Sequence, residues 1–378
     1  MKKIALIGST GSIGVQTLNV VRRNPEQFKI VSLAAGSNAD LLKQQVAEFC
    51  PAVATLSSKQ EWAKEFSSTQ FFFGENAFKS AVIDDADIVV IALVGYKGII
   101  AVLDAINKGK DIALANKESL VVGGQLVMRL AKEKGVNIYP VDSEHSAIWQ
   151  SLSMNFNKPF NKLILTASGG AFRDYTKEQL KSVTAKDALK HPNWAMGNKI
   201  TVDCASMVNK AFEVIEAKWL YNAPFDKIDV IIHRESIIHS MVEYFDGSVI
   251  AQMSYPSMEL PIALALSPDK RLPSNVKSLD FATIKNLTFN ALDKDKYPCF
   301  DLVVNAGKKG GCYPAVANGA NDVAVNLFLQ DKITFGDIYK AIDNALCHFK
   351  GECSCSFECF ENANDYARRS VMELFNIK

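Results

Sequence analysis

Three glycines, Gly8, Gly11 and Gly14, stand directly behind a short apolar run, Lys3–Ile7, and directly ahead of a helical pattern. That pattern runs through Val15, Leu18 and Val21 and ends near Asn24-Pro25. Strand, glycine turn and helix in this order start a βαβ unit. Glycine allows the tight turn, and it lets the backbone approach a pyrophosphate seated on the helix N-terminus. The spacing is a variant of G-x-G-x-x-G, so a glycine turn in another kind of α/β protein is the alternative. The position at the very start of the chain favours dinucleotide binding.

The βαβ rhythm continues. Phe28–Ala35, Asp87–Leu93, Asp111–Ala115 and Val136–Val141 read as strands, and Ala39–Phe49 and Ser119–Glu133 as helices. This predicts an α/β fold: a Rossmann-like, doubly wound parallel sheet over residues 1–142. Residues 143–267 change character. Strands at Lys162–Ala167, Lys227–His233, Ser240–Phe245 and Ser248–Met253, a hairpin turn at Asp246-Gly247 and a helix over Ala205–Tyr221 predict a central α+β catalytic domain. A polar stretch within about 168–198 reads as a lid. A linker at 268–299 leads to a helical C-terminal domain at 300–378, with helices at Leu302–Lys308, Asn321–Gln330, Phe335–Phe349 and Ala363–Phe375.

Among 378 residues, 42 Lys plus Arg against 41 Asp plus Glu leave a net charge of +1, which gives no electrostatic reason for a nucleic-acid or acidic-membrane partner. The apolar run after Met1-Lys2-Lys3 stops at Gly8, and Ile88–Tyr96 is too short to span a bilayer. The expectation is a cytoplasmic protein. Cys353, Cys355 and Cys359 cluster near Cys347-His348, but the paired spacing of a zinc site is missing, so reduced thiols are expected.

Chemistry gathers at predicted strand ends, where open parallel sheets bind ligands. Asp142-Ser143-Glu144-His145 suits a hard divalent cation with oxygen ligands, although an acidic helix start is the commoner use of such a run. Asn116-Lys117-Glu118 stands past another strand end and converges on the same crevice. On the 205–221 helix, Val208, Ala211, Phe212, Ile215 and Trp219 form an apolar stripe, while Ser206, Asn209, Lys210 and Glu213 share another face. That face is either solvated or a third carboxylate for the metal with Lys and Asn as anion ligands. Ser168-Gly169-Gly170 adds backbone donors in a nest. His191 and Trp194 lie in the lid stretch, where the Trp would exclude water. At the end of the second strand, Gly36-Ser37-Asn38 carries no carboxylate to hold a ribose 2′-hydroxyl, which favours NADP over NAD.

These motifs, in this order and spacing, resemble the 1-deoxy-D-xylulose 5-phosphate reductoisomerase family over essentially the whole chain. The resemblance implies NADPH and a divalent metal (Mg²⁺, Mn²⁺ or Co²⁺) as cofactors, a small phosphorylated sugar as substrate, and a homodimer. It implies rearrangement and reduction of 1-deoxy-D-xylulose 5-phosphate to 2-C-methyl-D-erythritol 4-phosphate in the non-mevalonate isoprenoid pathway. Carried over, Asp142, Glu144 and Glu213 bind the metal. Lys117, Ser143, Glu144, Ser168, His191, Trp194, Asn209, Lys210 and Glu213 meet the substrate. Thr10, Gly11, Ser12, Ile13, Gly36, Ser37, Asn38, Asn116, Glu118 and Gly197 meet NADPH. His145 and His239 are imidazoles beside the reaction. Two positions depart from the family pattern. Cys204 stands where a Ser often helps hold the phosphate, and Ser37 stands where a basic residue often faces the 2′-phosphate.

Other classes fit less well. A short-chain dehydrogenase needs Tyr-x₃-Lys, which is absent. A semialdehyde dehydrogenase would have only Cys204 as nucleophile, set among metal and anion residues. A nucleotide sensor leaves the carboxylates unexplained.

Overall fold

A computed structural model describes residues 1–153, 159–194, 196–351 and 354–377. The chain divides into two compact units. The first comprises Met1–Ser119, Val127–Ser146 and Ser257–Val276; the second comprises Leu120–Leu126, Ala147–Pro256 and Lys277–Lys378.

The first unit is built on seven parallel strands: β1 (Lys2–Ile7), β2 (Phe28–Ala34), β3 (Val53–Leu56), β4 (Gln70–Phe73), β5 (Ile88–Ile91), β6 (Asp111–Leu114) and β7 (Ile138–Pro140). Their order is β4-β3-β2-β1-β5-β6-β7. The chain winds outward in one direction from β1 and then returns to β5 on its other side. This puts the topological switch point at the end of β1, where the glycines stand. The expected doubly wound sheet is therefore present. Two strands escaped the sequence reading, β3 and β4. Each spans four residues, and β4 is a half-buried edge. Trp62 packs edge-on against Phe66 and Phe71 there, with ring centroids 6.0 and 5.7 Å away.

The Ser12–Arg23 helix buries Leu18, Val20 and Val21 against Ile4, Leu6 and Ile30. Arg22 and Arg23 in its last turn complement the helix dipole. The apolar helix Glu259–Leu266, assigned by sequence to the central part, packs on this helix instead. Arg23 pairs with Glu259 at 2.6 Å, and Lys2 donates to the Leu266 carbonyl at 3.0 Å.

The second unit holds a mixed sheet in the order β11-β10-β8-β9-β12, made of β8 (Phe160–Ala167), β9 (Ile228–Ile232), β10 (Ile238–Tyr244), β11 (Val249–Met253) and β12 (Asn290–Ala291). β8 and β9 are parallel, and the other pairings are antiparallel. Asp246-Gly247 makes the expected hairpin turn, with Gly247 at φ 82°. Four helices, Pro298–Lys309, Tyr313–Leu329, Phe335–His348 and Phe357–Leu374, pack in this same unit. The sequence expected the last part of the chain to be helical but separate. Asn321 donates to Asp203 at 2.8 Å, which ties the second of these helices to the central part.

The single helix expected over Ala205–Tyr221 is two: Asn198–Ser206 and Val208–Leu220. Met207 breaks it in the left-handed region at φ 65°. Met is a good helix former, so packing around this buried side chain overrides its propensity.

Among the described residues no helix is long and apolar enough to cross a membrane. Cys353 lies outside the described residues. Of the other clustered thiols, Cys359 lies 3.2 Å from Cys312, Cys355 faces Gln125, and Cys347 faces Asp343.

Candidate active site

In the first unit every motif singled out by sequence stands at the carboxyl end of a strand. After β1 the chain turns through Gly8, whose N–H and that of Ser9 both donate to the Ala34 carbonyl at the end of β2. A Cβ on Gly14 would lie 2.2 Å from the Gly8 oxygen, so only glycine lets the helix start this close to the turn. The helix begins at Ser12 with no side-chain cap and no acidic residue in its first turn. Its N–H groups and dipole are left for an anion, which is what a pyrophosphate requires. Thr10, Gly11, Ser12 and Ile13 line that end. Gly36, Ser37 and Asn38 leave β2 beside it, and Asn38 caps the next helix through Leu41 N–H at 3.2 Å. Gln45, which sequence reasoning missed, braces the turn by donating to the Ser9 carbonyl at 2.9 Å.

Past β6, the Asn116 amide is committed within the protein. Its Nδ2 donates to the carbonyls of Leu93 and Gly95 at 3.0 and 2.9 Å and to Glu118 at 3.0 Å. Its Oδ1 accepts from the Ser119 N–H at 3.1 Å. Asn116 and Glu118 thus shape the loop after β5, which flanks Gly8. Lys117 pairs with Asp142, past β7, at 2.6 Å, and both side chains are nearly buried. Asp142 also accepts the Glu144 N–H at 3.2 Å. It therefore starts the Ser143–Ser153 helix, as the helix-start reading expects, while pairing with the Lys117 ammonium. Asp142 and Glu144 each offer a carboxylate oxygen, the two within 4.8 Å of one another. Ser143 bonds Glu144, and His145 on the same helix is fully buried.

In the second unit the Val208–Leu220 helix overturns the solvated reading of its polar face. Every residue from Val208 to Ala217 is buried. Lys210 is 4% exposed and Glu213 1%, so this face is not solvated. Asn209 Nδ2 donates to Glu213 Oε1 at 2.7 Å, and Lys210 Nζ pairs with Oε2. A charge pair this deep is a poor route to stability compared with apolar packing, so its presence points to a use. The start of this helix again lacks a side-chain cap and acidic residues. The Ser168-Gly169-Gly170 turn leaves β8 close by: a Cβ on Gly170 would lie 2.5 Å from the Cys204 carbonyl oxygen. Cys204 itself is half-buried.

His191 Nδ1 accepts two backbone N–H groups, from Asn193 at 3.2 Å and Trp194 at 3.0 Å. Its proton must therefore sit on Nε2, which lies 3.0 Å from Ser168 Oγ. Ser168 Oγ also accepts the Gly170 N–H at 3.2 Å, which leaves its own hydroxyl proton to be donated outward. Burial, then the charge of Arg173, holds the His191 pKa down to about 4. A neutral imidazole is the result at pH 7. Between about pH 4 and the ordinary 6.5 the unfolded chain takes up a proton that the folded one refuses, so this residue makes stability rise with pH through that window. Nitrogen-detected NMR is expected to report a neutral Nε2–H tautomer for His191 down to pH 5. Titration near 6.5 would contradict the bonding described.

Trp194 meets the His239 ring edge-on at 6.2 Å, and His239 Nε2 lies 2.9 Å from Ser254 Oγ. Sequence reasoning assigned nothing to Ser254, Asn193 or Arg173. Asn193 donates to the Arg234 carbonyl at 2.6 Å and to Ser236 Oγ at 2.7 Å, and so anchors the His191–Trp194 turn past the end of β9. Arg173 donates to the same carbonyl at 3.0 Å. Asn193 stood between His191 and Trp194, both singled out by sequence; Ser254 left no local signal. Ala195 lies outside the described residues, and Gly197 starts the Asn198–Ser206 helix with open space around it. Neither the clustered cysteines nor His348 forms a metal-binding group among the described residues.

Comparison with known proteins agrees along the chain. The sequence family described as 1-deoxy-D-xylulose 5-phosphate reductoisomerase matches residues 4–124, its C-terminal domain matches 138–221, and a second DXP reductoisomerase C-terminal domain matches 253–370. The 1-deoxy-D-xylulose 5-phosphate reductoisomerase of Geotalea daltonii is 47% identical over 99% of both chains. That of Caldanaerobacter subterraneus is 49% identical over 93% of both. A Zymomonas mobilis reductoisomerase solved with NADPH superposes with a TM-score of 0.92 at 37% identity, covering 99% of each chain. A reductoisomerase solved with NADPH, fosmidomycin and magnesium gives 0.93 at 35% identity, covering 100% of this chain and 99% of that one. With such coverage by both sequence and structure, the chain belongs to the 1-deoxy-D-xylulose 5-phosphate reductoisomerase family.

Proposed function

We propose that the residues described above carry out the family reaction as follows. The enzyme rearranges 1-deoxy-D-xylulose 5-phosphate and reduces the product to 2-C-methyl-D-erythritol 4-phosphate, using NADPH and a divalent cation. Asp142, Glu144 and Glu213 hold the cation. The observation that carries this reading is oxygen-donor chemistry in each unit: Asp142 and Glu144 offer carboxylate oxygens within 4.8 Å of one another, and the Glu213 carboxylate is buried beside Asn209 and Lys210. Hard oxygen donors select Mg²⁺ or Mn²⁺ over softer ions. When bound, the cation polarises the substrate's ketone and hydroxyl oxygens, and NADPH supplies the hydride.

The remaining work falls to the chain. Lys210, Asn209, the outward Ser168 hydroxyl and the N–H groups of the glycine turn bind the phosphate, with the Cys204 thiol as a weaker donor. Lys117 and Ser143 orient the sugar beside the metal ligands. His191, neutral, fixes Ser168 and contacts the substrate, while Trp194 and His239 exclude water. Phosphate binding, remote from the reacting carbons, settles the 168–198 segment as a lid. Thr10, Gly11, Ser12 and Ile13 receive the pyrophosphate, and Gly36, Ser37 and Asn38 the adenosine end. Asn116, Glu118 and Gly197 complete the cofactor site. His145 is a buried imidazole near the metal ligands. We extend the reading to a cytoplasmic homodimer, as the family resemblance implies.

The experiment is NADPH absorbance at 340 nm, the standard optical wavelength for the reduced nicotinamide. Substrate-dependent loss is expected with Mg²⁺ or Mn²⁺, none after EDTA, and recovery on adding metal back. Full activity after thorough chelation would remove the metal role.

A further inference from the structure

The family resemblance leaves one charge missing, because Ser37 stands where a base would meet the 2′-phosphate. We propose that Lys59 supplies this cation from the neighbouring strand and so determines the preference for NADPH over NADH. The inference rests on the NADPH reading above.

β2 and β3 are parallel and pair Ser32 with Val53, Leu33 with Ala54 and Ala34 with Thr55. Their carboxyl ends therefore emerge side by side, about 4.8 Å apart. The pairing continues past both strands. Ser57 N–H donates to the Gly36 carbonyl at 3.1 Å, and Ser57 Oγ donates to the same oxygen at 2.5 Å. Two hydrogen bonds on one carbonyl fix the tip of β3 to the tip of β2. The next residues are Ser37 and Asn38 on one tip, Ser58 and Lys59 on the other, and all four are exposed. A four-carbon stem lets the Lys59 ammonium sweep the space over Ser37.

The other bases near this end of the sheet are already engaged. Lys43 is held by Glu65 at 2.8 Å, and Lys64 by Glu61 at 2.5 Å. Among the described residues Lys59 forms no ion pair, so its charge is available to a ligand. The helix that starts at Ala39 points its positive end at the same place, with Asp40 in its first turn as the opposing charge. A dianionic phosphate gains from the ammonium and the helix start together, whereas a 2′-hydroxyl gains little from either.

The test is calorimetric titration of the full chain with 2′,5′-ADP and with 5′-ADP, which differ only in the 2′-phosphate. For Lys59→Gln we expect 2′,5′-ADP affinity to fall at least about tenfold, with 5′-ADP affinity unchanged. Lys59→Arg should retain most of the wild-type preference, and the preference should shrink with added salt. Equal affinities in Lys59→Gln and wild type would overturn the proposal, as would an equal loss for both nucleotides. Failure of the wild type to bind NADPH or either nucleotide would instead bring down the cofactor reading itself.

Discussion

Replacing Glu213 by Gln is expected to cut kcat by at least about a hundredfold and to weaken metal binding in parallel. The substitution keeps size and removes one ligand charge. It also removes a carboxylate that pairs with Lys210, which is 4% exposed. Breaking a buried pair costs about 3–5 kcal/mol, so a fall in Tm is expected as well. The two effects separate in the double variant Glu213→Gln/Lys210→Met. There the buried ammonium is removed together with the carboxylate, stability should largely return, and activity should not. Calorimetric metal titration and thermal melts on both variants check this. Near-normal kinetics for Glu213→Gln would reduce the pair to a structural ion pair.

The second large effect is expected at Gly14. An Ala Cβ there would sit 2.2 Å from the Gly8 carbonyl oxygen and 2.6 Å from the Ser9 carbonyl carbon. These are backbone atoms at the switch point, already tied to Ala34, so they cannot yield as a side-chain tip would. Overpacking of this kind costs about 1–3 kcal/mol, and the forced shift opens the turn that receives the pyrophosphate. Gly14→Ala should therefore lower Tm and weaken NADPH binding at least about tenfold, measured by titration of protein fluorescence. Gly336→Ala is the control. It has no atom within 4 Å of its Cβ position and lies in a helix, so it should be neutral or slightly stabilising.

What the sequence made legible was local. Gly8, Gly11 and Gly14 announced the strand–turn–helix, and Asn116–Glu118 and Asp142–His145 announced strand ends, because each signal spans only a few residues. What it hid was set by distant packing. Met207 breaks a helix that its own propensity would continue. The face of Asn209, Lys210 and Glu213 read equally well as solvated, since periodicity shows which residues share a face and not what covers it. The anchoring of the His191–Trp194 turn through Asn193 to Ser236, and of His239 by Ser254, joins segments up to 43 residues apart.

The same division applies to function. The motifs narrowed the chemistry to a nucleotide, a hard cation and a phosphate. Burial of the Lys210–Glu213 pair then ruled out a solvated face. The neutral His191 and the outward Ser168 hydroxyl came only from counting donors and acceptors in three dimensions.

The most direct test is the identity of the product. The purified chain, with NADPH, Mg²⁺ and carbon-labelled 1-deoxy-D-xylulose 5-phosphate, should yield the branched skeleton of 2-C-methyl-D-erythritol 4-phosphate by ¹³C NMR, one NADPH consumed per molecule formed. A straight-chain polyol phosphate from simple ketone reduction, or no substrate-dependent NADPH consumption, would contradict the account.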